Sequence, residues 1–310
     1  MSIVDFLSVY TYRSVLVGTS LIGAIAGALG CFAYVRHQSL ASDVISHSAL
    51  PGVLLAFLFS TLGPGAFIHS PLLLVIGAAV TGTAAHLVAN IVASRTPLTI
   101  DAAMATTLSL FFGTGMLLLQ FISKSSLPGK GGIGAFLFGN ASTLTKADIT
   151  SSAVVGGCAI LATLALWKEF SLRAFDPEFC TVLGLNGKAI DAAMFAMLAI
   201  ATVAGVKAVG LVLMVAFVVT PPAVARQWTR ELSSMTLCSA LVGAGASSLG
   251  AYASVALGEL PSGPVTVLVL VGALVVSLLC APRRGILARM VASSTTRRTF
   301  RSSPGQGRKP

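Results

Sequence analysis

Long apolar runs alternate with short polar interruptions along almost the whole chain. A helix needs roughly 20 mostly apolar residues to cross a bilayer, and somewhat fewer inside a bundle. Nine runs meet that measure: Val15–Val35, Val44–Leu62, Pro71–Val92, Ala102–Ile122, Ile149–Trp167, Ala189–Val206, Val209–Ala225, Met235–Leu257 and Val265–Cys280. Only Lys207 and Ala208 part the sixth run from the seventh. These two are either a pair of short helices or one broken helix, so eight spans is the alternative. The pattern predicts an all-α polytopic membrane protein, with a short N-terminal segment over 1–14, a transmembrane domain over 15–282 and a tail over 283–310.

Composition agrees. Of the 310 residues 55% are hydrophobic and 10% charged, and the mean hydropathy is +0.91, against roughly 25% charged residues in soluble domains. No small-residue cleavage site follows the first run, so it reads as a span and not as a removable leader. The five cysteines, Cys31, Cys158, Cys180, Cys238 and Cys280, are scattered without a C-x-x-C, which argues against a disulfide framework or a thiolate metal site.

The net charge of +10 is unevenly placed, with eight of twenty basic residues lying after Pro282 in a Ser/Thr/Arg tail. Such a tail is expected to be disordered and to lie near anionic lipid on the cytoplasmic side; no nucleic acid need be invoked. With the N-terminus outside, Arg36, Arg95, Lys168, Arg173, Lys188, Arg226, Arg230 and the tail share one side. Arg13, Lys124, Lys130, Lys146 and Lys207 fall on the other. The excess of basic residues marks the first side, with the C-terminus, as cytoplasmic.

Candidate chemistry concentrates in R-H-Q-S-L-A-S-D-V-I-S-H-S-A-L-P-G, Arg36 to Gly52. Asp43 and His47 stand at i and i+4, so on a helix both project from one face. A carboxylate and an imidazole on one face can share a divalent cation, and ionisable side chains inside a membrane usually mark a transport path. The plainer alternative has Ser42 or Asp43 as the N-cap of the second helix and His47 as an interior histidine. Of the other histidines, His37 belongs at a membrane boundary, His69 in the loop Gly63–Ser70, and His86 in the third span, where it could face the bundle.

Three other stretches stand out. P-G-K-G-G-I-G, between the fourth and fifth spans, lacks the spacing of a phosphate-binding loop and has no strand before it. A nucleotide that powers transport must therefore bind another subunit. Lys168 to Lys188 is too polar to span and too apolar for a linker. Phe170, Leu172, Phe175 and Phe179 have no evident bilayer or core to enter, and Asp176-Pro177-Glu178 fits a helix start, with Gly184 as a stop. Exposed apolar groups beside a short helix suit a docking element; an interfacial helix lying on the membrane is the alternative. Finally, Thr220-Pro221-Pro222 lies inside the seventh span, where prolines predict a broken helix, either a gate or a static kink.

Four blocks together resemble the permease subunit of ATP-binding-cassette importers for manganese, zinc or iron. They are S-D-V-I-S-H-S-A-L-P-G (Ser42–Gly52, with Ser42 in place of the usual glycine), T-P-L-T-I-D-A-A-M (Thr96–Met104), K-E-F-S-L-R-A-F-D-P-E-F-C-T-V-L-G-L-N (Lys168–Asn186), and A-V-G-L-V-L-M-V-A-F-V-V-T-P-P-A-V-A-R (Ala208–Arg226) followed by L-P-S-G-P (Leu260–Pro264). The resemblance implies a type II ABC importer-like permease fold in a bacterial inner membrane. The permease pairs with a second permease subunit, as a homodimer or paralogous heterodimer. It further implies an extracytoplasmic metal-binding protein that delivers the ion, and a cytoplasmic ABC ATPase that grips Lys168–Asn186 and alone hydrolyses ATP. Asp43 and His47 are then transient metal contacts, and Phe175, Asp176, Pro177, Glu178 and Gly184 belong to the ATPase-docking element. No cofactor is permanently bound; manganese, zinc or iron is the substrate. An ion-driven secondary carrier is the competing function, but the inverted repeat it calls for is not evident.

Overall fold

The computed structural model describes residues 9–38, 40–62, 71–125, 127, 145–258, 260–281 and 285. The basic tail, the loop that carries His69 and the segment around P-G-K-G-G-I-G lie outside the described residues. Within them all regular structure is helical: α1 Tyr10–Val35, α2 Ala41–Leu62, α3 Pro71–Arg95, α4 Ile100–Lys124, α5 Lys146–Ala165, α6 Trp167–Phe175, α7 Pro177–Val182, α8 Gly187–Val209, α9 Leu211–Trp228, α10 Leu232–Ala256 and α11 Ser262–Cys280. The first helix starts at Tyr10, inside the segment 1–14 expected to precede the spans, where Tyr10 and Tyr12 add one further turn to the apolar run.

By length and composition, eight helices among the described residues can cross a membrane: α1 to α5, α8, α10 and α11. The remaining long helix, α9, settles how the sixth and seventh runs are built. They are two helices parted at Gly210, whose φ of 84° and ψ of 165° suit glycine alone. The Gly210 N–H closes α8 on the Val206 carbonyl at 2.8 Å, and its own carbonyl accepts the first α9 bond from Met214 N at 3.1 Å.

The direction of each helix follows from side contacts. Ser239 Oγ in α10 donates to the Gly27 carbonyl in α1 at 2.6 Å, and Ser20 and Ser248 hydroxyls meet at 2.8 Å, so these helices run antiparallel. Glycine at 23 and 243 lets their backbones touch, since a Cβ on either would strike the other helix. Along α9, Met214 lies by Ile22 and Gly205, whereas Val218 and Pro221 lie by Gly30 and Gly27. Thus α9 runs with α1 and against α8. Trp228 Nε1–H then donates to Ser277 Oγ near the end of α11 at 2.8 Å. The chain therefore passes the bundle nine times over the described residues, from the Tyr10 end to the Arg36 end. Arg36, Arg95, Lys168, Arg173, Lys188, Arg226 and Arg230 all belong to the Arg36 end, and Lys146, 5.4 Å over the Tyr10 ring, marks the opposite one.

Pro221 and Pro222 do not break their helix. The expected break is corrected: α9 is continuous across both prolines, and the chain breaks at Gly210 instead. Each proline deprives a carbonyl four residues earlier of its N–H partner, here Phe217 and Val218. Both rings are buried. The Val218 carbonyl lies directly against Gly30 of α1, where a Cα–H contact can partly replace the lost bond. Packing of this face against α1 holds the helix together there, as interior proline requires in a membrane.

Candidate functional site

The second helix begins at Ala41, so Ser42 and Asp43 are both inside its first turn and neither is the N-cap. The capping alternative is thereby removed. Asp43 gains from the helix dipole at that position, and its Oδ1 lies 3.3 Å from His47 Nε2 one turn on. Both side chains are half-buried, at 36% and 29% exposed. The edge of Phe112 in α4 meets the His47 ring, with centroids 5.1 Å apart and planes at 85°. On the far side of the imidazole, Nδ1 is buried without a hydrogen-bond partner among the described residues, and the same holds for the hydroxyls of Ser46 and Ser48.

That geometry suits a divalent ion. Two donors about 2.0–2.2 Å from one ion, at tetrahedral or octahedral angles, stand about 3–3.5 Å apart, and the pair is at 3.3 Å. Two ligands are also all it offers. No group of three or more His, Cys, Asp or Glu side chains that could hold a metal occurs among the described residues. Mixed oxygen and nitrogen donors without thiolate fit manganese, zinc or iron(II) better than copper(I), and a two-donor site releases its ion readily.

The α3 histidine belongs to a different environment. His86 is fully buried, stacks on Phe195 of α8 with centroids 3.7 Å apart, and accepts at Nε2 from Asn90 Nδ2 at 2.8 Å. His37 is exposed, as expected at a boundary.

At the Arg36 end, α6 and α7 form the candidate docking element. Asp176 caps α7 by accepting from Phe179 N at 2.9 Å, with Pro177 at the first helical position and Glu178 in the first turn. Gly184 takes a φ of 73° and ends it. Phe175, Phe179, Val182 and Leu183 are all about half or more exposed, Val182 at 80%. Phe170 does not join them. It is buried, with its ring 5.8 Å from Phe32 of α1, and Trp167 meets the same ring at 5.5 Å. The exposed row therefore starts at Phe175, where the chain turns out of α6.

One group at this end went unnoticed in the sequence. Asp191, in the second turn of α8, takes a bidentate pair from Arg173 (Nε to Oδ1 at 3.0 Å, Nη2 to Oδ2 at 2.7 Å) and a further contact from Arg36 Nη1 at 3.2 Å. Arg36 Nη1 also donates to the Arg173 carbonyl at 3.1 Å. The carboxylate raises the Arg173 guanidinium above its usual range. The available signal was an acid inside an apolar run, which in a membrane protein calls for a partner.

Comparison with known proteins shows what the chain as a whole is similar to. The family described as the ABC 3 transport family matches residues 8–281. The chain is 35% identical to the zinc transport system membrane protein TroC of Treponema pallidum, over 93% of this chain and 95% of that one. It is 33% identical to the manganese transport system membrane protein MntC of Bacillus subtilis, over 92% of this chain and 64% of that longer one. Among solved structures, PsaBC from Streptococcus pneumoniae in complex with Fab superposes with a TM-score of 0.78 at 28% identity, covering 93% of this chain and 98% of that chain. A metal-chelate type ABC transporter in an inward-facing conformation shares the fold, with a TM-score of 0.61 at 19% identity, over 86% of this chain and 84% of that one.

Proposed function

Because this chain belongs to the ABC 3 transport family, we propose that it is the membrane permease subunit of an importer for a divalent transition-metal ion, manganese, zinc or iron. The observation that carries the metal assignment is the Asp43–His47 pair, two hard-to-borderline donors at ligand spacing on one face of a helix with no other ionisable side chain. As a multi-pass permease of this family the chain supplies the path and leaves ATP hydrolysis to a partner. The Arg36 end, with its basic residues, faces the cytoplasm together with the end of α11. There the row Phe175, Phe179, Val182 and Leu183 meets the ABC ATPase, with Asp176, Pro177, Glu178 and Gly184 shaping α7 behind it. An extracytoplasmic binding protein delivers the ion at the Tyr10 end. A second permease subunit, identical or paralogous, completes the path and contributes the remaining ligands, with water filling any vacant position.

Asp43 and His47 act as a transient relay contact. Pro221, beside Gly27 of α1, and Pro222 are both buried in the bundle, and Gly210 is the point where α9 can swing relative to α8.

The test is uptake of labelled manganese, zinc and iron by membranes that hold the whole transporter, wild type against Asp43→Asn, at matched abundance. Asparagine keeps the size and loses the charge, and loss of most of the uptake is expected. Transport near the wild-type rate would remove the pair from the path. ATP-independent uptake driven by a proton or sodium gradient would instead favour the secondary carrier.

A further inference from the structure

The docking element is tied to the metal-binding helix by an unbroken series of contacts, and one carboxylate stands at its start. Arg173, on the last turn of α6, grips Asp191 of α8 through two bonds, and Arg36 at the end of α1 holds the same carboxylate. Four residues along α8, on the same face, Phe195 stacks on His86 of α3 at 3.7 Å, and Asn90 fixes that imidazole from its own helix. One turn before His86, Gly82 lies against the backbone and side chain of Ile45, between Asp43 and His47 on α2. Further along the same seam Gly52 and Gly77 bring α2 and α3 into backbone contact. These links are rigid: a bidentate fork, a ring stack and two glycine contacts leave little slack. The aromatic contacts of Trp167 and Phe170 with Phe32 anchor α6 to α1 alone, and they do not reach α3.

We propose that Asp191 is the positioning residue that carries movement of the ATPase-docked helices α6 and α7 to α8, and through Phe195 and His86 to α3 and the Asp43–His47 helix. The proposal rests on α6–α7 being the docking element. Asp191 touches no substrate. Its role is to make α6 and α8 move as one body, so that nucleotide-driven displacement of α7 alters the setting of α2. Contiguity supplies the route, and coupling has to be measured.

The experiment uses the complete transporter, permease with its ATPase and binding protein, in lipid nanodiscs and proteoliposomes. Two variants sever the link differently. Asp191→Asn weakens both guanidinium contacts, whereas Arg173→Gln removes only the two-bond fork and leaves Arg36 on both Asp191 and the residue-173 carbonyl. Hydrogen exchange is followed with and without a non-hydrolysable ATP analogue. In the wild type, α7 should be protected by docking, and α2 should change its exchange on nucleotide binding. In each variant that assembles, α7 protection should persist while the α2 response is lost. In proteoliposomes, manganese or zinc carried per ATP hydrolysed should fall about tenfold, within the usual range for coupling between sites, with hydrolysis itself retained. Asp191→Glu should recover part of the ratio.

An α2 response that survives in both variants, or none in the wild type, overturns the proposal. Loss of uptake strictly in step with loss of assembly does so too, since it would reduce Asp191 to a structural role. Absence of α7 protection in the wild type would remove the docking assignment and the relay together. A wild-type complex that carries neither metal, yet shows the nucleotide response and its loss, would overturn only the substrate assignment.

Discussion

Asp43 and His47 share a face because the helix has already begun when the chain reaches Ala41, and a start three residues later would have made Asp43 a cap. Sequence spacing was enough to nominate the pair. It could not supply the Phe112 edge or the bare Nδ1, which depend on how α4 lies on α2. Asp191 illustrates the opposite case. One partner, Arg36, comes from α1 far away along the chain and the other, Arg173, from α6 across the α7 turn, and only tertiary packing brings three charges to one point. Gly210 is the residue whose replacement is easiest to forecast. Its backbone lies in a region that side chains strain to enter, at about 1–3 kcal/mol per residue. Gly210→Ala should therefore lower the unfolding midpoint of the detergent-solubilised protein, measured thermally, while Gly184→Ala, at a φ of 73° open to other residues at modest cost, should shift it less.

At the scale of single elements, run length located the long helices well, because the bilayer sets a minimum of apolar residues that few other structures need. Where those runs break was harder to see. Proline at 221 and 222 signalled a discontinuity, but packing against Gly27 and Gly30 keeps α9 helical, and the break falls at a glycine that composition alone does not single out. The short helix α7 was legible from its Asp-Pro-Glu start, whereas the partition of the phenylalanines around it was not. Phe170 and Phe175 are five residues apart and nearly opposite in exposure, because α6 lays one face on Phe32 and ends before the second. It follows that Phe175→Ala should weaken association with the ATPase by about 2 kcal/mol or more, roughly thirtyfold, as truncation of an interface hot spot does. Co-purification and binding titration measure this. Phe170→Ala should instead lower permease stability, through a cavity in the core, and normal ATPase affinity in the Phe175 variant would take the row out of the interface.

For the molecule as a whole, the feature that governs behaviour is the reversal at Gly210. Because α9 runs back toward the Arg36 end, the described chain starts at one end of the bundle and finishes α11 at the other. Reporter fusions should read that directly. One that is active only outside the cell should be silent after Cys280 and active at Tyr10, and the same signal at both positions would refute the odd number of passages. Genetic engineering meets the same constraint. Two copies of an even-spanning permease can be joined end to end by a short peptide and still insert side by side. With nine passages over the described residues, two copies of this chain should not, because the first would hand the second to the membrane from the wrong face. A tandem fusion with a soluble linker should insert its second half upside down or fail, and one extra hydrophobic segment in the linker should restore it.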